Sequence, residues 1–461
     1  MTPSIAKTAP LRHRSNRLFY LAMIPMIFLS MTACWLIMSE ISAQSRLHSE
    51  VEHLRQSGDP VDDASMAAWF HSHTRPEGQL AWTEAITCSH ALGELQADLP
   101  IVGMGALPDE LCPGAQWSDA PQVQQFLEYA APLLNHIHQA AQYPTPVRLN
   151  PLFEGTNTRL FPLQESRNMV RMLQLDCIYA GYTQDADRAL KDLDSMSKIA
   201  DAFDWDLFLV GQLVHIALLG IHQGEINRSL SCNLWQPEQL QQLLNQVSQP
   251  MDVAKKWRTG ISGERAMMMA ALFDTDPHSL SYMSEGAPNI MLMLHPSGKL
   301  RLLHAYRKLQ DLSITPWMES YTNSNQTQIN LDDSSSNYFA TDASPFWMQM
   351  FLPAERALVA AYQRVEQNRR LTRTALGIKL YERQHGTWPR DLQDLEQVGL
   401  SIQDWTVPGI GSFGYRIQPE GAQVWGMNPQ APEASQQITA TPPTSQEGTD
   451  RSEIWWLVDI R

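Results

Sequence analysis

The 461-residue sequence lacks the short motifs that identify common catalytic and metal sites. It contains no CxxC pair for a zinc ribbon or a thioredoxin-like centre, no HExxH pair and no glycine-rich phosphate loop. Basic residues are scarce, with 34 Lys and Arg against 49 Asp and Glu and a formal net charge of −15. Because nucleic-acid binding depends on basic patches that neutralise phosphates, we expect no nucleic-acid partner.

One long run of residues is both apolar and free of charge, Leu18–Met38, and it follows Arg12, Arg14 and Arg17. A helix of this length extends roughly 30 Å, which matches the hydrocarbon thickness of a bilayer. We therefore predict a single transmembrane helix over Leu18–Met38, with the lipid bilayer as its partner. Because basic residues stay on the cytoplasmic side, the N-terminus, residues 1–17, is expected in the cytoplasm. The bulk of the chain would then lie in the periplasm of a bacterium, anchored in the inner membrane.

Two other interpretations of this start stay open. A basic segment before an apolar one is also typical of a cleaved signal peptide. Met31-Thr32-Ala33-Cys34 resembles a lipoprotein processing box, in which Cys34 would carry the lipid. The apolar run continues through Trp35–Met38, where a processed protein would turn polar, and this favours the uncleaved helix.

The five cysteines permit disulfides but do not require them. Cys88, Cys112, Cys177 and Cys232 follow the apolar run, and four cysteines in an oxidising compartment can form two bridges in three connectivities. Buried free thiols in helices are the equal alternative.

Helical periodicity dominates the rest of the chain and predicts a mainly α fold. Residues 39–321 are expected to form an α-helical ectodomain of stacked helical hairpins. The most regular part is Arg167–Leu230, where Ala180-Gly181 before a turn and Ala189-Leu190 after it resemble a tetratricopeptide hairpin. Its third segment, Trp205–Ile221, is apolar nearly all round, and Pro237–Phe273 is expected to be one long helix or a broken pair.

The C-terminal part has a different pattern. Residues 322–344, rich in Asn, Ser and Asp, lack periodicity and are predicted to be a domain linker. Residues 345–461 are expected to form a long helix that ends at His385-Gly386, followed by a small β-sheet of three short strands. The result is a small C-terminal α+β tail.

This tail carries a resemblance to a known family. Arg373–Leu392, in which a helix breaks at Gly386 before the aromatic-proline pair Trp388-Pro389, resembles the helix-to-turn signature of type II secretion pseudopilins. The strands within Phe413–Met427 fit the sheet that follows in that family. The whole layout resembles the single-span, membrane-anchored proteins of planctomycete bacteria, a resemblance that implies architecture only.

Several polar groups are candidates for a metal-binding or catalytic site. His71 and His73, like His136 and His138, are i,i+2 pairs, which point to different faces of a helix and share a metal poorly. Ser195-Met196-Ser197-Lys198 fits the SxxK nucleophile motif, but no partner motif follows it. We therefore assign no catalytic, cofactor-binding or metal-binding residue from the sequence.

The favoured hypothesis is a non-enzymatic single-pass membrane protein, with a protein-interaction or scaffold role in the cell envelope and a protein as its partner. One alternative is an envelope hydrolase without a recognisable motif, for which Glu264, Asp274, Asp276 and His278 form the nearest polar cluster. The other is an accessory protein of a secretion system, which the tail resemblance suggests.

Overall fold

The computed structural model describes residues 14–74, 76–90, 98–107, 116–143, 152–155, 157–158, 162–273, 295–311, 346–407, 411–427 and 454–461. These residues are mainly helical, with a small sheet near the C-terminus, as the sequence predicts. The helices are α1 (Arg14–Gln56), α2 (Asp63–His73), α3 (Gln79–His90), α4 (Ala120–Ala141), α5 (Leu163–Tyr182), α6 (Ala186–Asp201), α7 (Leu209–Ser229), α8 (Pro237–Gln246), α9 (Val253–Phe273), α10 (Pro296–Asp311) and α11 (Phe346–His385). The strands are β1 (Thr406–Val407), β2 (Gly411–Ser412), β3 (Gly414–Gln418), β4 (Gly421–Met427) and β5 (Ile454–Ile460).

The described residues group into two compact units, and the first contains those of 1–59 and 272–305. Its helix α1 is long and apolar enough to cross a membrane, by length and composition, and the most apolar window of the helix is not buried. Beyond that window, Ala43, Leu47 and Val51 recur every four residues on one buried face. Within this unit, Glu40 accepts hydrogen bonds from the backbone nitrogen (3.2 Å) and the hydroxyl (2.6 Å) of Ser297, in the first turn of α10.

The second unit, residues 60–271 and 306–461, contains a large hydrophobic core. Helices α3 to α8, α11 and the three-stranded sheet all contribute buried side chains to it, among them Trp82, Leu134, Leu173, Leu193, Leu376 and Val424. Helix α11 packs on α7, α8 and β4. Apolar residues of the tail therefore share this core with the helical body. The predicted linker residues 322–344 lie outside the described part of the chain.

The tail ends α11 with a glycine and continues into an antiparallel sheet. Gly386 adopts φ +70°, the left-handed conformation that terminates helices and favours glycine. After a short 3₁₀ helix (Leu392–Val398), the strands pair in the order β3-β4-β5, with Val424 opposite Val458. The hydroxyl of Tyr415 on β3 donates to the carbonyl oxygen of Pro389 at 2.8 Å, which fixes the turn against the sheet.

Helix α7 starts four residues later than the apolar pattern predicts. The carboxylate of Asp206 accepts a hydrogen bond from the Phe208 backbone nitrogen at 2.9 Å, a local turn that competes with the helix. Phe208 is extended, and α7 begins at Leu209.

The region Pro237–Phe273, predicted as one long helix or a broken pair, consists of two helices, α8 and α9.

The described cysteines are free thiols. Cys88, Cys177 and Cys232 form no bridge, Cys34 is exposed on the apolar part of α1, and Cys112 lies outside the described residues. The Cys177 thiol lies 3.8 Å from the carbonyl oxygen of Ala189, to which it donates. Burial, followed by the charge of Glu225, raises the pKa of Cys177 well above its usual range, so this thiol stays protonated.

Candidate functional site

A cleft of about 730 Å³ lies between α4 and the hairpin of α5 and α6. One face of α4 forms the first wall, because its lining residues recur at intervals of three and four: Gln124, Leu127, Glu128, Ala131, Leu134, Asn135 and His138. The hairpin supplies the second wall, which consists of Asp176, Tyr179, Thr183, Asp185, Asp187, Arg188 and Lys191.

The sequence of the hairpin turn explains how the second wall is formed. Gln184 takes a positive φ of 63°, and the Asp185 side chain caps α6 by accepting a hydrogen bond from the Arg188 backbone nitrogen at 3.1 Å. This tight turn folds α6 back on α5. Arg188 therefore reaches Asp176 on the neighbouring helix.

Asp176 and Arg188 form a bidentate ion pair at the cleft. Arg188 donates from Nε to Oδ2 of Asp176 at 3.1 Å and from Nη2 to Oδ1, so both carboxylate oxygens are engaged. Asp176 is buried, while the side chain of Arg188 is about a third exposed. A bidentate pair of this kind holds the guanidinium in one orientation at the surface of the cleft.

His138 of the first wall contacts two buried residues of α6, Ser195 and Asp192. The Nδ1 atom of His138 lies 2.9 Å from the Ser195 hydroxyl, and its Nε2 atom lies 3.3 Å from Oδ1 of Asp192. Burial and the nearby charge of Lys191 lower the pKa of His138 to about 4, so the ring is neutral at pH 7. Burial, followed by the charge of Asp176, raises the pKa of Asp192 well above its usual range.

This group contains the three residue types of a serine hydrolase but does not have the properties of its active site. Ser195 is 4% exposed, is not part of the cleft lining, and lies inside α6, where the helix itself uses the backbone nitrogens that an oxyanion hole requires. Lys198 of the SxxK motif binds the Asp194 carboxylate at 2.6 Å on an exposed surface. The arrangement fits a buried polar network that joins α4 to α6.

The pairing of His138 with Ser195 is the feature that sequence reasoning missed. Both residues belong to motifs that were weighed, yet 57 positions separate them and nothing in their spacing links them. The prediction that each His pair diverges agrees with the contacts, because His136 faces Glu84 of α3 at 3.5 Å while His138 faces α6. On α2, His73 stacks on Trp69 with 3.9 Å between ring centroids, and His71 is exposed.

Of the four residues weighed for a hydrolase, only Glu264 lies in the described part of the chain; Asp274, Asp276 and His278 lie outside it. Glu264 is buried on α9, and its Oε1 atom accepts a hydrogen bond from the Leu209 backbone nitrogen at 3.1 Å. It therefore caps the start of α7. Burial raises its pKa to about 7.

A second polar cluster fills the space between the loop before α7 and helix α9. The ammonium of Lys256 binds the carboxylate of Asp204 and, at 2.6 Å, the carbonyl oxygen of the same residue. It also lies 3.4 Å from Nδ1 of His215. Burial, followed by the charge of Lys256, lowers the pKa of His215, which keeps the imidazole neutral. These groups satisfy one another and anchor the loop rather than face a ligand.

The cleft is thus the candidate binding site of the described chain. Comparisons of the whole chain with protein-family models, with curated proteins and with solved structures find no match.

Proposed function

We propose that the protein is a single-pass membrane protein whose helical body binds a protein partner in the cell envelope. The observation that carries the proposal is the cleft between α4 and the α5–α6 hairpin, joined in one chain to a membrane-compatible helix. The tetratricopeptide-like stacking of hairpins is part of this proposal. It is supported by the short turn between α5 and α6 and by the packing of both helices on α7.

The exposure of the apolar part of α1 supports the anchor. Met26 and Phe28 are each 73% exposed, and Trp35 is 69% exposed. A contiguous apolar surface of this kind is unfavourable in water and is expected to be buried by a membrane or a partner. A bilayer buries it along the whole length of the segment. The basic residues before it favour a cytoplasmic N-terminus and a body in the periplasm.

The composition of the cleft supports binding rather than catalysis. Its lining includes the apolar residues Leu127, Ala131 and Leu134, of which only Ala131 is exposed, and polar groups from both walls. Concave surfaces that combine an apolar floor with a few oriented polar groups are typical of recognition sites. Because the hydroxyl of Ser195 is buried, the hydrolase alternative has no accessible nucleophile in this cleft.

Site-specific photo-crosslinking in intact cells tests the proposal. We expect a photoreactive amino acid at Ala131, an exposed residue inside the cleft, to give one crosslinked product with a defined partner that mass spectrometry identifies. The matched control has the same amino acid at Ile402, which is 62% exposed and not part of the cleft lining. No product from Ala131, or the same set of products from both positions, would contradict the proposed function.

A further inference from the structure

We propose that the cleft binds an extended, basic segment of the partner, whose apolar side chains lie against the exposed Ala131 and whose Lys or Arg side chains meet the carboxylates of the two walls. This inference rests on the proposed function, since it names the chemistry of the segment that the cleft would bind. The bound segment is a lysine- or arginine-containing stretch of another protein.

The dimensions of the first wall favour an extended segment. The lining face of α4 runs from Gln124 to His138, which corresponds to roughly 21 Å at the helical rise of about 1.5 Å per residue. An extended chain advances about 3.3 Å per residue, so about six residues fit along this wall. Ala131 is exposed at the middle of this wall and offers a small apolar contact, whereas Leu127 and Leu134 are almost fully buried.

Three carboxylates of the cleft form no salt bridge with a described residue. Glu128 on α4 accepts a hydrogen bond from the Gln124 amide at 2.9 Å. On the opposite wall, Asp185 caps its own helix, and Asp187 accepts from the Gln239 amide at 2.9 Å. Each carboxylate is thus held by a neutral donor rather than by an ion pair.

The positive charges of the cleft are fewer. The charge of Arg188 is balanced by Asp176, with which it forms the bidentate pair. Apart from this pair, the lining contains one cationic side chain, Lys191, and three carboxylates that form no salt bridge within the described part of the chain. His138 is neutral and adds no charge. The cleft therefore has an excess of negative charge, within a chain of net charge −15, and a basic segment is complementary to it. An acidic segment would meet repulsion from both walls.

The test uses the full chain in detergent micelles and three fluorescein-labelled hexapeptides in which Leu alternates with Lys, with Gln or with Glu. Fluorescence anisotropy gives their dissociation constants at low and at moderate salt. We expect the Leu–Lys peptide to bind most tightly, and its affinity to fall as salt rises, because salt screens exposed charges.

The variant Glu128→Gln, Asp185→Asn and Asp187→Asn removes the three charges and keeps the oxygen atom that accepts each hydrogen bond, so the fold is retained. We expect it to weaken Leu–Lys binding about tenfold, since each exposed ion pair changes an affinity by about two- to fivefold. The matched control removes the same charge from carboxylates outside the cleft: Glu396→Gln, Glu420→Gln and Asp459→Asn.

Equal weakening by the variant and the control would overturn the inference, because it would mean attraction to the net charge alone. Tighter binding of the Leu–Glu peptide would overturn it as well and would assign recognition to Arg188 and Lys191. Binding of no peptide has the same consequence. These failures are distinct from failure of the proposed function, which the crosslink at Ala131 tests without reference to the charge of the partner.

Discussion

Glu264 should make the folded protein less stable at alkaline pH, although its side chain caps a helix. Its carboxyl is 7% exposed, and its pKa of about 7 lies above the ordinary value of 4.5 because burial disfavours the charged form. The folded chain therefore keeps a proton that the unfolded chain releases at lower pH. Stability from this proton is complete below pH 4.5 and is lost as the pH rises through 7.

The expected effect is large enough to measure. One unit of pKa corresponds to about 1.4 kcal/mol, so ionised Glu264 lowers the free energy of unfolding by about 3 kcal/mol above pH 8. The variant Glu264→Gln keeps the oxygen that accepts from Leu209 but cannot ionise. We expect it to be more stable than the wild type by about 2 to 3 kcal/mol at pH 8.5 and similar to it at pH 5.

Urea denaturation of the full chain in micelles, followed by tryptophan fluorescence at both pH values, provides the assay. Glu420→Gln is the control, because Glu420 is exposed in the turn between β3 and β4 and its replacement should change neither curve. A wild type and a Glu264→Gln variant with the same pH dependence would refute the reasoning, since the buried carboxyl would then not be the group that titrates.

Two further predictions concern packing and buried charge, and both are checked by the same urea titration. Gly263→Ala should cost about 2 kcal/mol or more, because a Cβ atom there would collide with the backbone oxygen of Leu207. Gly220→Ala, where a Cβ atom would meet nothing within 4 Å, should instead stabilise by up to about 1 kcal/mol; equal effects would contradict this contrast. Arg188→Met should cost about 3 kcal/mol by leaving Asp176 buried and unpaired, and adding Asp176→Asn should recover part of that loss.

Sequence patterns predicted the features that depend on local periodicity. The apolar run before Met38 appears as the membrane-compatible part of α1, and His385-Gly386 ends α11 because glycine readily adopts the positive φ found there. The alternation around Trp425 appears as a strand of the small sheet. In each case a residue type acts on its immediate neighbours, so a short stretch of sequence contains the information.

The candidate site could not be predicted in this way, because its contacts join distant parts of the chain. The distance of 2.9 Å between His138 and Ser195 depends on how α4 packs against α6. The start of α7 depends on two carboxylates, that of Asp206, two residues before Phe208, and that of Glu264, on another helix. Periodicity predicts that a helix has a buried face. It does not predict which other helix packs against that face.

The central claim is that α1 anchors the chain in a membrane and that the helical body lies on the far side from the N-terminus. Alkaline phosphatase fused after Arg461 tests it most directly, because this enzyme acquires its disulfides and its activity only in an oxidising compartment. We predict an active fusion that remains in the membrane fraction after alkaline extraction. An inactive fusion, or one recovered uncleaved in the soluble cytosolic fraction, would contradict the account.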